Sequence, residues 1–285
     1  MSIIAVLGST GAQGGSGAEV VKADIEDVQS LVAAFKGASA VFCVTDFWQG
    51  ILAKTLEQAG EDEKRQVLNV AQAAAVTPTL THFICSALPP AAKVSDGKLK
   101  VAHFDYKADA IDHIEQHLPE LYAKMTQLWV GWYASNMFNE YLTYLLPIPG
   151  TKKVIWFNPS KPDGVVPVGG HVTHNIGIVV DGILSQREKT IGKVVPLITD
   201  YMPFKDVLNV WGKVMGREAI YVEASDEAIS QLSGHLGADL AAQFRWSEVH
   251  SDWNTLFPEI TVSLKELGVE SKVLGLEQAL RALKP

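Results

Sequence analysis

Gly8-Ser9-Thr10-Gly11-Ala12-Gln13-Gly14-Gly15 comes directly after the apolar run Ile3-Ile4-Ala5-Val6-Leu7. A short β-branched strand that ends in glycines spaced three apart is how a dinucleotide pyrophosphate is received. The glycines let the backbone turn and approach the phosphates, and the next helix points its N-terminal amides at them. Gly8, Thr10, Gly11, Gln13 and Gly14 are therefore candidate cofactor-binding residues.

The segment after the loop is unusual. Only Ser16-Gly17-Ala18 separate Gly15 from a segment that reads as another strand, Glu19-Val20-Val21-Lys22-Ala23-Asp24. Adjacent parallel strands need a crossover of about a dozen residues or more, usually with a helix in it. The nine residues from Ser9 to Gly17 could span ~30 Å fully extended, enough to pass along a strand of ~17–20 Å. They could not also form a helix, which needs ~10 residues of its own and is poorly served by glycine. Two readings meet this arithmetic. The chain lacks the first crossover helix and the strand behind it, or a stretch of ~20–30 residues, one helix and one strand with their loops, is absent from the sequence within Ser16–Ala18.

The elements that must position this loop alternate along the first half. Ile3–Leu7, Ala40–Val44, His82–Ser86 and Met125–Val130 are near-continuous apolar strands, while Val28–Phe35, Glu61–Ala75 and Phe104–His117 carry helical spacing. That alternation predicts an α/β fold, a doubly wound parallel sheet of Rossmann-like type covered on both faces. From about Ala134 prolines and glycines break the chain into short pieces. Ile176–Leu184 reads as a helix returning to the sheet. Phe204–Met215, Asp226–Phe244 and Gly275–Leu283 read as helices of a smaller, mainly helical second lobe. The expected division is 1–135 with 171–190 as the dinucleotide-binding domain, and 136–170 with 191–285 as the substrate- or partner-binding lobe.

Composition narrows the function classes. The chain has 285 residues with a formal net charge of −8 and no extended basic run, which disfavours direct contact with nucleic acid. It has neither a basic-then-apolar leader pattern nor an apolar stretch of ~18 residues, so no membrane span is expected. Cys43 and Cys85 both sit inside predicted buried strands, which suggests reduced thiols in a cytoplasmic protein. His82, His113, His171 and His174 show no metal-ligand spacing backed by carboxylates, and no metal is expected.

With the glycine loop, the strand ending in Asp24, the run Val41-Phe42-Cys43-Val44-Thr45-Asp46-Phe47-Trp48, the run His103-Phe104-Asp105-Tyr106-Lys107, and Gly131-Trp132-Tyr133-Ala134-Ser135-Asn136-Met137-Phe138, the chain resembles the NmrA-like family, atypical relatives of the short-chain dehydrogenases/reductases. The resemblance covers most of the chain and implies one of two roles. One is an NAD(P)H-dependent reductase acting on a small carbonyl or imine. The other is a non-catalytic NAD(P)-sensing regulator that works through contacts with a partner protein. NADP over NAD is implied by the resemblance alone, because the strand that carries the basic residue for the 2′-phosphate has no counterpart here.

The resemblance also gives residues their roles. Asp24 corresponds to an acidic position on the adenine side, with a local helix cap as the alternative. Thr45 and Phe47 should line the cofactor, and Ser86 ends a strand where the wider superfamily places a substrate-binding hydroxyl. Lys107 corresponds to a lysine that hydrogen-bonds the nicotinamide ribose. The usual pairing is Tyr-x-x-x-Lys, but the residue four before Lys107 is His103, and Tyr106 points ~100° away on a helix. A reductase of this kind needs another proton donor: His103, which is suited to the task near neutral pH, or Tyr133 from the second lobe, or water. Trp129, Trp132, Trp156, Trp211, Trp246 and Trp253 crowd the second half and suit either lobe packing or a pocket for a flat apolar molecule. The missing tyrosine favours the regulator, whereas the aromatic second lobe favours the reductase, which is the leading expectation.

Overall fold

The structure is a computed structural model that describes residues 3–8, 19–48, 51–139 and 142–284. Strand β1 (Ile3–Val6) is followed by a turn at Leu7-Gly8, and Gly8 has φ +63°, a conformation that glycine adopts without strain. Residues 19–24 carry no strand, contrary to their β-branched pattern. A strand exists only by pairing, and among the described residues no strand lies beyond β1 for this segment to join. Val20 and Val21 stay exposed.

Helix α1 (Val28–Ala34) starts at Asp27, whose carboxylate accepts the Gln29 amide at 2.9 Å. Strand β2 (Ala38–Cys43) follows, then α2 (Leu56–Ala75). This helix begins at Leu56, ahead of the predicted Glu61, because Thr55 and Gln58 close a capping box. Next come β3 (His82–Ala87), the short α3 (Ala91–Val94), α4 (Ala102–His117), the short α5 (Pro119–Tyr122) and β4 (Met125–Val130). The chain then leaves for the second lobe through β5 (Trp132–Tyr133), β6 (Tyr144–Pro147), β7 (Lys153–Asn158) and β8 (Val165–Gly170). Helix α6 (Val172–Ser185), the short α7 (Arg187–Thr190) and β9 (Val194–Leu197) return to the main sheet. Strand β10 (Asp200–Pro203), α8 (Phe204–Met215), β11 (Glu218–Glu223), α9 (Asp226–Val249) and α10 (Leu276–Leu283) complete the second lobe.

Among the described residues the main sheet runs β1-β2-β3-β4-β9, and every pair in it is parallel. One face packs on α1, α2 and α4 through Val41, Cys43, Phe83 and Trp129; the other packs on α6 through Phe42, Ile84 and Leu128. Both faces are thus covered, as a doubly wound fold requires. Two corrections concern the later chain. Val194–Leu197, expected in the second lobe, is the edge strand of the main sheet, where Pro196 is tolerated because only one side pairs with a full strand. Among the described residues the second lobe holds its predicted helices and also two three-stranded sheets, β10-β8-β5 and β11-β7-β6.

His82 shows how tightly the main core is set. Its Nε2 lies 2.8 Å from the Thr126 hydroxyl, which itself donates to the Thr190 carbonyl at 2.7 Å. The hydroxyl must therefore accept from His82, so the ring is the Nε2–H tautomer and its buried Nδ1 has no partner among the described residues. Burial first, and Arg187 second, pull its pKa from 6.5 to about 4. A histidine whose folded pKa is depressed contributes stability that is whole above its unfolded value and lost as pH falls towards its folded one. At about 1.4 kcal/mol per unit, denaturant unfolding should show ~3 kcal/mol lost between pH 7 and pH 4 that His82→Gln does not lose.

Candidate functional site

The carboxyl ends of β1, β2, β3 and β4 open into one cavity of about 1360 Å³ between the sheet and the second lobe. This is where ligands bind in open α/β sheets, and it exceeds the ~300–1,000 Å³ of ordinary small-molecule sites. Gly8, Asp24, Thr45, Phe47, Ser86, His103, Lys107 and Tyr133 all line it. Thr10, Gly11, Gln13 and Gly14 lie outside the described residues.

At the centre is a buried ion pair. Lys107 Nζ lies 2.8 Å from Glu63 Oε1, donates to Thr45 Oγ1 at 2.8 Å and reaches the Ser86 carbonyl at 3.5 Å. The Thr45 hydroxyl donates in turn to Glu63 Oε1 at 2.9 Å. Glu63 is 1% exposed and Lys107 9%. All three ammonium protons have acceptors, and the 3.5 Å contact is the one most readily exchanged for a ligand oxygen. Burial alone would lower the pKa of Lys107. The charge and hydrogen bond of Glu63 outweigh it, and the ammonium is held above its ordinary value. Glu63 Oε2 is buried without a partner among the described residues. Cys43 and Cys85, facing each other across β2 and β3, lie close by as free buried thiols. The hydrogen bond that the Cys43 thiol donates to Cys85, with burial, pushes the Cys43 pKa up.

One turn before Lys107, His103 is boxed by aromatic rings, with centroids at 5.7 Å to Phe47, 4.9 Å to Trp48 and 4.8 Å to Phe104. Its Nδ1 is paired with Asp239 Oδ2 of α9. Tyr106 points elsewhere: its ring lies over Gly60 of α2, so close that a Cβ there would meet it at 1.9 Å. Asp24 is exposed and its Oδ1 accepts the Glu26 amide at 2.9 Å, closing a turn before α1, while Asp27 is the cap itself. Tyr133 is half-buried on β5. Of the six tryptophans from Trp129 onwards, Trp132 and Trp253 reach the cavity, and Trp156 and Trp211 are packed into the core of the second lobe. Among the described residues no cluster of His, Cys, Asp and Glu could hold a metal, and no helix is long and apolar enough to cross a membrane.

Glu63 and Asp239 were not candidates from the sequence. Glu63 sits in the charged run Glu61-Asp62-Glu63-Lys64-Arg65, which reads as a solvated face; only its tertiary partner reveals its burial. Asp239 carries no local signal.

The sequence profile of the NmrA-like family matches residues 15–275. The chain belongs to the NmrA-like family. It is 24% identical over 269 residues to an NmrA-like family domain-containing oxidoreductase, FrzB, of Cladobotryum sp, covering 77% of this chain and 75% of that one. It is 24% identical over 229 residues to another such oxidoreductase, himF, of Aspergillus japonicus, covering 77% of this chain but 65% of that one. The chain therefore spans about two thirds to three quarters of the length of these relatives. Among solved structures it is similar to NmrA, a negative transcriptional regulator, in complex with NADP, at a TM-score of 0.71, 20% identity and coverage of 98% and 94%. At that identity the likeness speaks for the fold.

The ion pair yields a stability test. Lys107→Met leaves the Glu63 carboxylate buried and unpaired, which should cost ~3–5 kcal/mol in denaturant unfolding at pH 7. Adding Glu63→Met should recover most of it; a double variant no more stable than the single one would refute the pairing. Because the Lys107 pKa is raised from 10.5, its contribution is whole below that value and is lost as pH climbs through the raised one.

Proposed function

We propose that the protein is an NAD(P)H-dependent reductase of a small carbonyl or imine. The observation that carries this reading is the buried Glu63–Lys107–Thr45 cluster beside His103, at the carboxyl ends of β2 and β3 in a cavity large enough for a cofactor and a substrate together. The oxidoreductase relatives and the NADP-bound structural neighbour support it.

The residues present fit the nicotinamide–ribose end of the cofactor. Glu63 Oε2 is a buried acceptor short of a donor among the described residues, and a ribose hydroxyl is such a donor. The Ser86 carbonyl is the weakest of Lys107's three acceptors, so a ribose oxygen could take its place. At the pyrophosphate end, Gly8 supplies the turn that brings backbone to phosphate. The described residues supply no helix directly after it: the next one, α1, begins at Val28. The cationic Lys and Arg side chains among the described lining residues are Lys22 at this end and Lys107 at the nicotinamide end, so the described residues give no arginine clamp for a 2′-phosphate.

When bound, the reduced nicotinamide supplies a hydride to the substrate carbon. Lys107 holds the ribose, Phe47 and Trp48 wall off water, and His103 or Tyr133 delivers the proton to the developing oxygen or nitrogen anion.

The second reading is a dinucleotide-sensing regulator that binds a partner protein and turns nothing over. It is favoured by one observation: the residue four before Lys107 is a histidine, so no tyrosine stands in the usual place, and Tyr106 lies over Gly60 instead. Trp48, Trp132 and Trp253 line the cavity, so NADPH or NADH should quench tryptophan fluorescence saturably, and carbonyls and imines should then be reduced with loss of absorbance at 340 nm. The Glu63→Met/Lys107→Met double variant should bind about tenfold more weakly or worse, the worth of one charged hydrogen bond. Binding without turnover across a broad panel would leave only the regulator, and binding of neither dinucleotide would overturn both readings.

A further inference from the structure

Helix α4 has no side-chain cap of its own, because Val101 stands at its N-cap position. The cap comes from the other lobe. Asp239 of α9, 1% exposed, accepts the Ala102 amide at 2.7 Å on Oδ1 and engages His103 Nδ1 with Oδ2. Both oxygens of this carboxylate therefore act as acceptors, and the N-terminus of a helix favours its negative charge. An Oδ2 that accepts requires hydrogen on Nδ1 of His103. That leaves Nε2, which has no hydrogen-bond partner among the described residues, as the ring nitrogen available on a side chain that lines the cavity.

We propose that Asp239 is a positioning residue that makes His103 the proton donor of the reduction, so that the donor is completed only by the second lobe. The proposal rests on the reductase reading above. In the step, hydride with its electron pair reaches the substrate carbon from the reduced nicotinamide, which is oxidised. The π pair of the C=O or C=N bond moves to the heteroatom, which takes the proton from Nε2 of the His103 imidazolium. The N–H bond breaks, the imidazole becomes neutral, and solvent returns the proton. Asp239 stays ionised throughout, holding Nδ1–H and stabilising the charged ring before transfer. Of the other charged groups, Asp105 and Lys107 share its helix, and Glu63 from α2 and Asp46 after β2 line the same cavity.

An alternative role for Asp239, capping α4 and docking α9 and nothing more, makes different predictions, because Asn caps helices as well as Asp does. Two-bond ¹H–¹⁵N spectra of the histidine rings, recorded on the protein without cofactor and assigned with His103→Asn, read the tautomer directly. The expected wild-type result is the Nδ1–H tautomer for His103. In Asp239→Asn the preference for the Nδ1–H tautomer should weaken, because a neutral amide oxygen is a poorer acceptor than a carboxylate. In turnover, kcat of Asp239→Asn should fall while KM for the dinucleotide holds. An Nε2–H tautomer in the wild type overturns the proposal without any substitution, as does a folded Asp239→Asn in which both the His103 tautomer and kcat are unchanged. If the ring signature is as expected but no carbonyl or imine is reduced, the reductase reading fails and the donor role with it, while the Asp239–His103 pairing stands.

Discussion

A lysine and a glutamate buried together at the head of a parallel sheet constrain everything around them. Coulomb attraction between Glu63 and Lys107 does not by itself offset the loss of two hydration shells. The pair is tolerable because Thr45 bridges it and the Ser86 carbonyl takes the remaining proton. Those four residues come from α2, the end of β2, the end of β3 and α4. Their mutual satisfaction therefore sets how these elements meet at the mouth of the cavity. It also explains the close approach of α2 to α4 at Gly60, where no side chain would fit beneath the Tyr106 ring.

The same sheet is short on its other side. A parallel sheet normally buries its strands on both faces, yet Ile3, Ile4 and Val6 of β1 are 54%, 45% and 37% exposed. The exposure follows from topology: β1 is an edge, and the described residues that precede α1 form no strand beside it. The cavity is consequently open towards the region where the phosphates of a dinucleotide would lie, and acidic side chains there (Glu19 and Asp24) outnumber the one cation, Lys22, among the described lining residues. Recognition at that end has to come from backbone amides more than from side-chain charge. The contrast with the dense polar cluster at Lys107 makes the nicotinamide end the better-built half of the site.

Much of this was legible in the sequence for identifiable reasons. Buried parallel strands are continuous apolar runs, so Met125–Val130 was readable to the residue, and the apolar stripes of α1 and α8 were equally plain. Glu19–Asp24 had a good strand pattern and failed because pairing is a tertiary property. The strands of the second lobe are short and interrupted by Pro147, Pro167 and Pro203, which hides their period. The start of α2 was present as Thr55-x-x-Gln58, a signal that outranks the apolar stripe at a helix end. Glu63 and Asp239 were illegible in principle: a carboxylate in a helix looks solvated until its partner, 44 or 136 residues away in sequence, is in place.

Helix α9 decides how firmly that last partner is held. Trp246 near its end belongs to the core of the main domain, stacking edge-on to Phe104 at 5.5 Å and donating to the Ala91 carbonyl at 3.2 Å. Phe244, two residues earlier, belongs to the core of the second lobe and meets Phe204 at 4.8 Å. The helix is thus anchored in both cores within one turn, and Asp239 lies one to two turns before that anchor. The non-helical break at Ser233 and Gly234 comes earlier still, so it leaves the segment from Asp239 to Trp246 undisturbed. Placing Asp239 on a rigid helix shared by the two lobes, and His103 on the first turn of the helix that Asp239 caps, fixes both partners by packing rather than by loop conformation. The lobes meet there through a charge pair as well as through apolar packing, and that is what ties the chemistry of the cavity to the docking of the second lobe.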